Sequence, residues 1–196
     1  MRHFNKLINI LVFSSLFFAL PVCAGEPTSQ LSATIDQFVT ILVNTPVAQL
    51  RASGLPENAM ALVYSRFDFS EMTKRSLGRH WQALDLAEQQ EFVDAFTQRL
   101  LRGYGRSVRG SGDDKIQYER EVRKGNYASV ETKIVSGSGD ELPIDYELHD
   151  VDGQWKVYDM VIDHISIVTN YRAQFERVIT KSSLKDLLQK MKQLDS

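Results

Sequence analysis

The chain has 196 residues, with 23 basic against 25 acidic side chains and a net charge of −2. That length is enough for a sizeable core in one domain, and the near-neutral balance excludes a protein built for non-specific nucleic-acid binding. A single cysteine, Cys23, excludes a disulfide framework.

Residues 1–24 read as a cleaved export signal. Arg2 and Lys6 start it, an apolar run follows over 7–20, and Val22-Cys23-Ala24 offers a small-residue cleavage site. The run is short for a membrane span and a polar stretch follows it, so no stable membrane insertion is expected. Val22 stands where a lipoprotein signal needs a small residue before its cysteine. The expected organisation is a signal peptide over 1–24 and a single domain over 25–196, located in a bacterial periplasm. Once the leader is removed no thiol remains, so cysteine nucleophiles and thiolate metal sites fall away.

The first half is helical by pattern. Leu31, Ile35, Phe38, Val39 and Leu42 recur at spacings of three and four, and Thr45-Pro46 interrupts them. A second apolar segment over 59–67 leads into FDFSEMTKRSLG, where Ser70 is expected to cap a short helix and Gly78 to end it. Asp85 with Glu88 three residues on has capping-box spacing. It opens the longest expected helix, which carries Phe92, Phe96, Leu100, Tyr104 and Val108 as a slanted ridge. Gly103 and Gly105 weaken its end.

Beyond Gly110 the period changes to two. Ile116, Tyr118 and Val122 fall on one side of a first strand; Ala128, Val130, Thr132 and Ile134 on one side of a second; Leu142, Ile144, Tyr146 and Leu148 on one side of a third. Asp150-Val151-Asp152-Gly153 is a hairpin turn into a fourth strand. That strand reads as apolar on both faces, with Trp155, Val157 and Val161 on one and Tyr158, Met160 and Ile162 on the other, and so predicts cover on both sides. Ile165, Val168, Tyr171, Phe175 and Val178 give a helix, and Ser183 with Asp186 caps another lined by Leu184, Leu187, Leu188, Met191 and Leu194. The expected fold is α+β: an antiparallel meander of about four strands packed against helices from the N-terminal half and the C-terminus.

Chemistry-bearing patterns are sparse. Asp159, Asp163 and His164, with Tyr158 beside them, allow an acid/base site at the mouth of a curved sheet, which keeps an enzyme or adaptor as the alternative reading. His80, His149 and His164 show no metal-ligand spacing, and neither a phosphate loop nor a nucleophile elbow is present. No catalytic residue, cofactor or metal is assigned. The basic groups Arg99, Arg102, Arg106, Arg109 and Arg120, Arg123, Lys124 read as solvated faces. The large apolar residues read singly as ordinary core.

Taken together, FDFSEMTKRSLGRHW, the helix bearing Phe92, Phe96, Leu100 and Tyr104, and IDYELHDVDGQWKVYDMVIDHISIVTNYRAQF resemble the MlaC family of toluene-tolerance auxiliary proteins. The resemblance runs over about 67–175. It matches Phe67, Asp68 and Phe69, then Leu77, Gly78 and Trp81, then the block 155–159, then Tyr171, Arg172, Gln174 and Phe175. One departure is His164, where a glycine is expected.

The resemblance implies a monomeric periplasmic carrier whose cargo is phospholipid. It would move lipid between an outer-membrane lipoprotein–porin complex and an inner-membrane ABC transporter with an MCE-domain subunit, maintaining outer-membrane lipid asymmetry. It implies an apolar lipid cavity between sheet and helices, with candidate lining from Phe67, Phe69, Met72, Trp81, Phe92, Phe96, Leu100, Tyr104, Val157, Met160, Ile162, Ile165, Val168 and Phe175. Arg102, Arg106 and Arg109 are the candidate headgroup or rim cations.

Overall fold

The computed structural model describes residues 26–105 and 114–193. The expected signal peptide, Val108, Gly110, Arg106, Arg109 and Leu194 lie outside the described residues. In chain order the elements are α1 (Glu26–Asn44), α2 (Val47–Ser53), α3 (Glu57–Arg66), α4 (Phe69–Leu77), a 3-10 turn (Gly78–Ala83) and α5 (Leu86–Gly105). They continue with β1 (Lys115–Lys124), β2 (Tyr127–Val135), β3 (Glu141–Val151), β4 (Gln154–Ile162), β5 (Ile165–Ser166), α6 (Ile167–Lys181) and α7 (Leu184–Gln193). No described helix is long and apolar enough to cross a membrane.

Local chemistry sets most of the boundaries. Pro46 and Pro56 stand immediately before α2 and α3, where a missing N–H costs nothing. The capping box of α5 closes reciprocally: the Glu88 N–H donates to Asp85 Oδ1 at 2.8 Å and the Asp85 N–H to Glu88 Oε2 at 3.0 Å. Ser183 caps α7 by accepting the Asp186 N–H at 3.0 Å. The cap of α4, however, is Asp68 and not Ser70, with Asp68 Oδ1 accepting the Glu71 N–H at 2.8 Å. Tertiary pairing explains the shift. Phe67 bridges Val157 in parallel and the Asp68 N–H donates to the Val157 carbonyl at 2.8 Å, so the chain is extended up to Asp68 and the helix starts directly after it.

The five strands lie in sequence order and are antiparallel throughout, the short β5 completing the expected meander at its far edge. The β3–β4 connection has φ of 53° at Asp152 and 81° at Gly153, the backbone of a two-residue hairpin turn.

Two bulges decide which side chains share a face. In β4 the register passes from Leu148↔Val157 to Glu147↔Asp159, leaving Tyr158 as the extra residue. Beyond it, Met160 and Ile162 stand opposite Tyr146 and Ile144, on the face that already carries Trp155 and Val157. The expectation of a strand apolar on both faces is thereby corrected: Met160 and Ile162 join Trp155 and Val157 on one face, while Val161, opposite Asp145, turns to the other. In β1 the register passes from Tyr118↔Thr132 to Arg120↔Glu131, with Glu119 extra. This bulge works in the opposite sense. It turns Val122 away from Ile116 and Tyr118, against expectation, and brings Glu121 and Arg123 onto their face opposite Val130 and Ala128.

Every strand residue in the two buried clusters belongs to this one face: Tyr118, Ala128, Val130, Tyr146, Leu148, Trp155, Val157, Met160 and Ile162. The opposite face carries Ser129, Glu131, Lys133, Asp145, Glu147 and His149. Among the described residues the sheet is therefore covered by helices on a single side.

Candidate functional site

The space between the apolar face and the helices holds two clusters. In the larger, Phe92, Phe96 and Leu100 of α5 meet Phe69 and Met72 of α4, Val168, Tyr171 and Phe175 of α6, and Leu187 and Met191 of α7, with Met160 and Ile162 half-buried against them. Phe96, 0% exposed, is its centre. Its ring lies edge-on to Tyr171 at 4.9 Å and to Phe175 at 5.3 Å, within the range where aromatic pairs add to simple burial. In the smaller cluster Leu31 of α1 covers Ala128, Val130, Leu148, Trp155 and Val157. Phe67 and Met160 pack against both clusters, which makes the apolar interior continuous.

Most of the expected lining residues meet here. Phe67, Phe69, Met72, Trp81, Phe92, Phe96, Leu100, Met160, Ile162, Val168 and Phe175 belong to or pack on the larger cluster, and Val157 to the smaller. Ile165 does not. It lies in the edge strand β5 and is 59% exposed, outside both clusters. Tyr104 stands in the last turn of α5 with its side chain outside what is described, and Arg102 is exposed on the same turn. Besides the helical residues, the expected lining took Val157, Met160 and Ile162 from β4 and missed that β2 and β3 supply Val130, Tyr146 and Leu148 to the same floor. The alternation of those strands carried that signal; the register that joins them to β4 did not show in it.

The carboxylate considered for acid/base work has a structural occupation. Asp159 Oδ1 accepts the N–H groups of Met160 (2.8 Å) and Val168 (3.0 Å), and Oδ2 accepts the Ser166 hydroxyl at 2.5 Å. Ser166 Oγ in turn accepts the Thr169 N–H at 3.0 Å, so Asp159 and Ser166 together cap α6 and fasten it to β4. Asp163 and His164 form the turn beyond β4 with φ of 48° and 64°, the left-handed backbone that accounts for a glycine being expected at His164.

Sequence blocks that carried the family resemblance touch one another in space. The Phe67-Asp68 pair joins β4 at Val157, as described. Gly78 lies against Arg172, so close that a Cβ there would come within 2.9 Å of Arg172 Nε and Nη2. One turn further along α6, Glu176 pairs with His80 Nε2 at 2.8 Å and with Arg79, and the hydrogen bond from His80 leads the contacts that hold the Glu176 carboxyl below the usual range. On the outer face Arg75 lies 4.0 Å from the centre of the Tyr158 ring, and His149 Nε2 bonds Asp68 Oδ2 at 3.0 Å. The bulge residue and the α4 cap are thus tied together around the edge of β4.

Two open grooves flank α5, of about 280 Å³ along Tyr64, Phe69, Val93 and Thr97 and about 240 Å³ along Glu91, Ala95 and Lys192. Both are smaller than the roughly 300–1,000 Å³ usual for sites that enclose a ligand.

These features define an α+β domain with a one-sided antiparallel meander, a helical cover and a continuous apolar interior between them. The family model described as MlaC protein matches residues 32–193, and the chain belongs to that family. Among curated relatives, the toluene tolerance protein ttg2D of Pseudomonas putida is 26% identical over 125 residues, 63% of this chain and 51% of that protein. The intermembrane phospholipid transport system binding protein MlaC of Haemophilus influenzae is 24% identical over 122 residues, 60% of this chain and 57% of that protein. The match thus spans little more than half the length of either relative. A solved phospholipid-binding protein from Ralstonia solanacearum, in complex with a phospholipid, superposes with a TM-score of 0.75 at 23% identity, covering 86% of this chain and 96% of that one. That likeness shows the fold.

Proposed function

We propose that this protein is a soluble periplasmic carrier of phospholipid, holding acyl chains between the apolar face of β1–β4 and the layer of α4, α5, α6 and α7. The observation that carries the reading is the one-sided sheet. Two parities of apolar residue in β4 are turned onto a single face, and that face continues without a break into the aromatic cluster of the helices. The names of the relatives and the phospholipid held by the structural neighbour support the choice of cargo. Asp159, occupied in capping α6, supports a carrier over an enzyme.

Two acyl chains contain about 30 methylenes, and at ~0.8 kcal/mol each their shielding from water is worth on the order of 25 kcal/mol. Free lipid in an aqueous compartment is therefore negligible. Bilayer and pocket shield the chains alike, so exchange between them is close to neutral and direction has to come from the partners. In this proposal those are an outer-membrane lipoprotein–porin complex and an inner-membrane ABC transporter with an MCE-domain subunit, the carrier acting as a monomer to preserve outer-membrane asymmetry. Arg102, with Arg106 and Arg109 following it in sequence, supplies cations for the phosphate where α5 ends. Because the two clusters are in contact, uptake has to part helices from sheet.

Solvent extraction of protein purified from cells, followed by mass spectrometry, tests the reading. Roughly stoichiometric phospholipid is expected, and it should disappear from a folded Met160→Glu variant. Protein that emerges free of lipid and takes none from vesicles would sink the proposal.

A further inference from the structure

The apolar face of the sheet contains a few polar side chains, and they differ in whether they have partners. Glu121 accepts both the N–H and the hydroxyl of Thr28, at 2.9 and 2.5 Å. Thr132 donates its hydroxyl to the Ile144 carbonyl at 2.6 Å. The hydroxyl of Tyr118 is buried and has no partner. Among the described residues two other buried polar atoms share that condition: Ser76 Oγ, within α4, and Trp155 Nε1, whose ring is covered by Leu31 of α1 and by the Arg123 guanidinium at 4.8 Å.

Tyr118 differs from these in its row. It stands opposite Thr132, which stands opposite Ile144, which stands opposite Ile162, and Ile162 packs on the larger helical cluster. Tyr118 itself packs on the smaller cluster, and its row runs from there to the surface proposed above for acyl chains. Burial, followed by the Asp36 carboxylate and Tyr146, pushes the phenol far up, so it is a protonated donor at any physiological pH. A buried donor with no acceptor is a net loss that phenylalanine at the same place avoids. An acceptor that arrives with the cargo removes the loss. The nearby Asp36 carboxylate disfavours an anion here, and the surrounding aliphatic side chains favour an acceptor embedded in hydrocarbon. In a glycerophospholipid that acceptor is an ester carbonyl.

We propose that Tyr118 donates its hydroxyl hydrogen to an acyl-ester carbonyl of the bound lipid, setting how deep the chains lie and favouring ester-linked over ether-linked lipid. The inference rests on the carrier reading. The test compares wild type with Tyr118→Phe in release of dipalmitoyl phosphatidylglycerol, and of its dihexadecyl ether analogue, to phosphatidylglycerol vesicles. One neutral hydrogen bond predicts about three- to tenfold faster release of the ester lipid from Tyr118→Phe, with no difference between the two proteins for the ether lipid. The lipid-free variant is expected to unfold at the same or a higher temperature than wild type, a split that a purely structural hydroxyl does not give. Equal ester release from both proteins, the result expected if a fixed water satisfies the phenol, overturns the inference alone. A wild type that takes up neither lipid overturns the carrier reading and this inference with it.

Discussion

The two halves of β4 are separated by a single extra residue and are held by different physics. Before Tyr158, the strand is fastened to α1 by directed bonds. Gln30 accepts the Trp155 N–H and donates to the Gly153 carbonyl, each at 3.0 Å. Arg66 reaches Thr34 Oγ1 at 2.9 Å, Gln30 Oε1 at 3.1 Å and the Trp155 carbonyl at 2.6 Å. Few large apolar side chains of α1 are buried, and Val39 and Val43 are 36% and 58% exposed. After Tyr158, Asp159 bonds the strand to the start of α6, and beyond that anchor Met160 and Ile162 meet the helices through apolar contact. Hydrogen bonds fix geometry and are lost when it changes, whereas apolar contact is non-directional and re-forms around a new shape of similar area. In the carrier proposed above, the apolar contacts of Met160 and Ile162 are the ones able to re-form around a guest.

Three substitutions test that contrast. The largest effect belongs to Phe96→Ala, which removes a fully buried ring from the centre of the helical cluster and should cost about 3–5 kcal/mol. Urea unfolding measures it, and a loss below about 1.5 kcal/mol would mean that the helical cluster is loosely packed. Arg66→Leu comes next, with an expected loss of about 2 kcal/mol as the hydrogen bonds to α1 and β4 disappear. Hydrogen exchange should speed up in α1 and stay unchanged in α5; uniform acceleration would show that the two regions are one cooperative unit. The smallest change is a gain. His164→Gly relieves a left-handed backbone at φ 64° and should raise stability by about 0.5–1 kcal/mol, with lipid content unaltered because the turn lies outside both clusters.

How much of this was legible before the structure follows from what each feature depends on. The capping box at Asp85 and Glu88, the cap at Ser183 and the turn at Asp152-Gly153 were readable because they involve residues within three positions of one another. The ridge of Phe92, Phe96 and Leu100 was readable because its burial follows helix periodicity. Ser70 was expected as the α4 cap because helix propensity says nothing of a strand elsewhere capturing Phe67. Ile165 was expected in the lining because it continues a helical stripe, yet β5 pairs with β4 and the helix starts only at Ile167. For the site, the buried aromatic residues were identifiable one by one, but the floor contributed by β2 and β3 was not, since it exists only through cross-strand register.

The sequence by itself determined the helical and strand regions, their order, the caps of α5 and α7 and the family, all of which follow from local patterns of residue type. Which residues face the interior was decided only in the tertiary structure. A bulge inserts one residue where a strand and its neighbour cannot keep step, and period-two alternation reverses from that point on. At Tyr158 this reversal brought Met160 and Ile162 onto the face of Trp155 and Val157 and turned Val161 away, and at Glu119 it exchanged Val122 for Glu121 and Arg123. The pattern of a single strand is the same whether or not such a step occurs, so the one-sided sheet that defines the candidate site became visible only once the strands were paired.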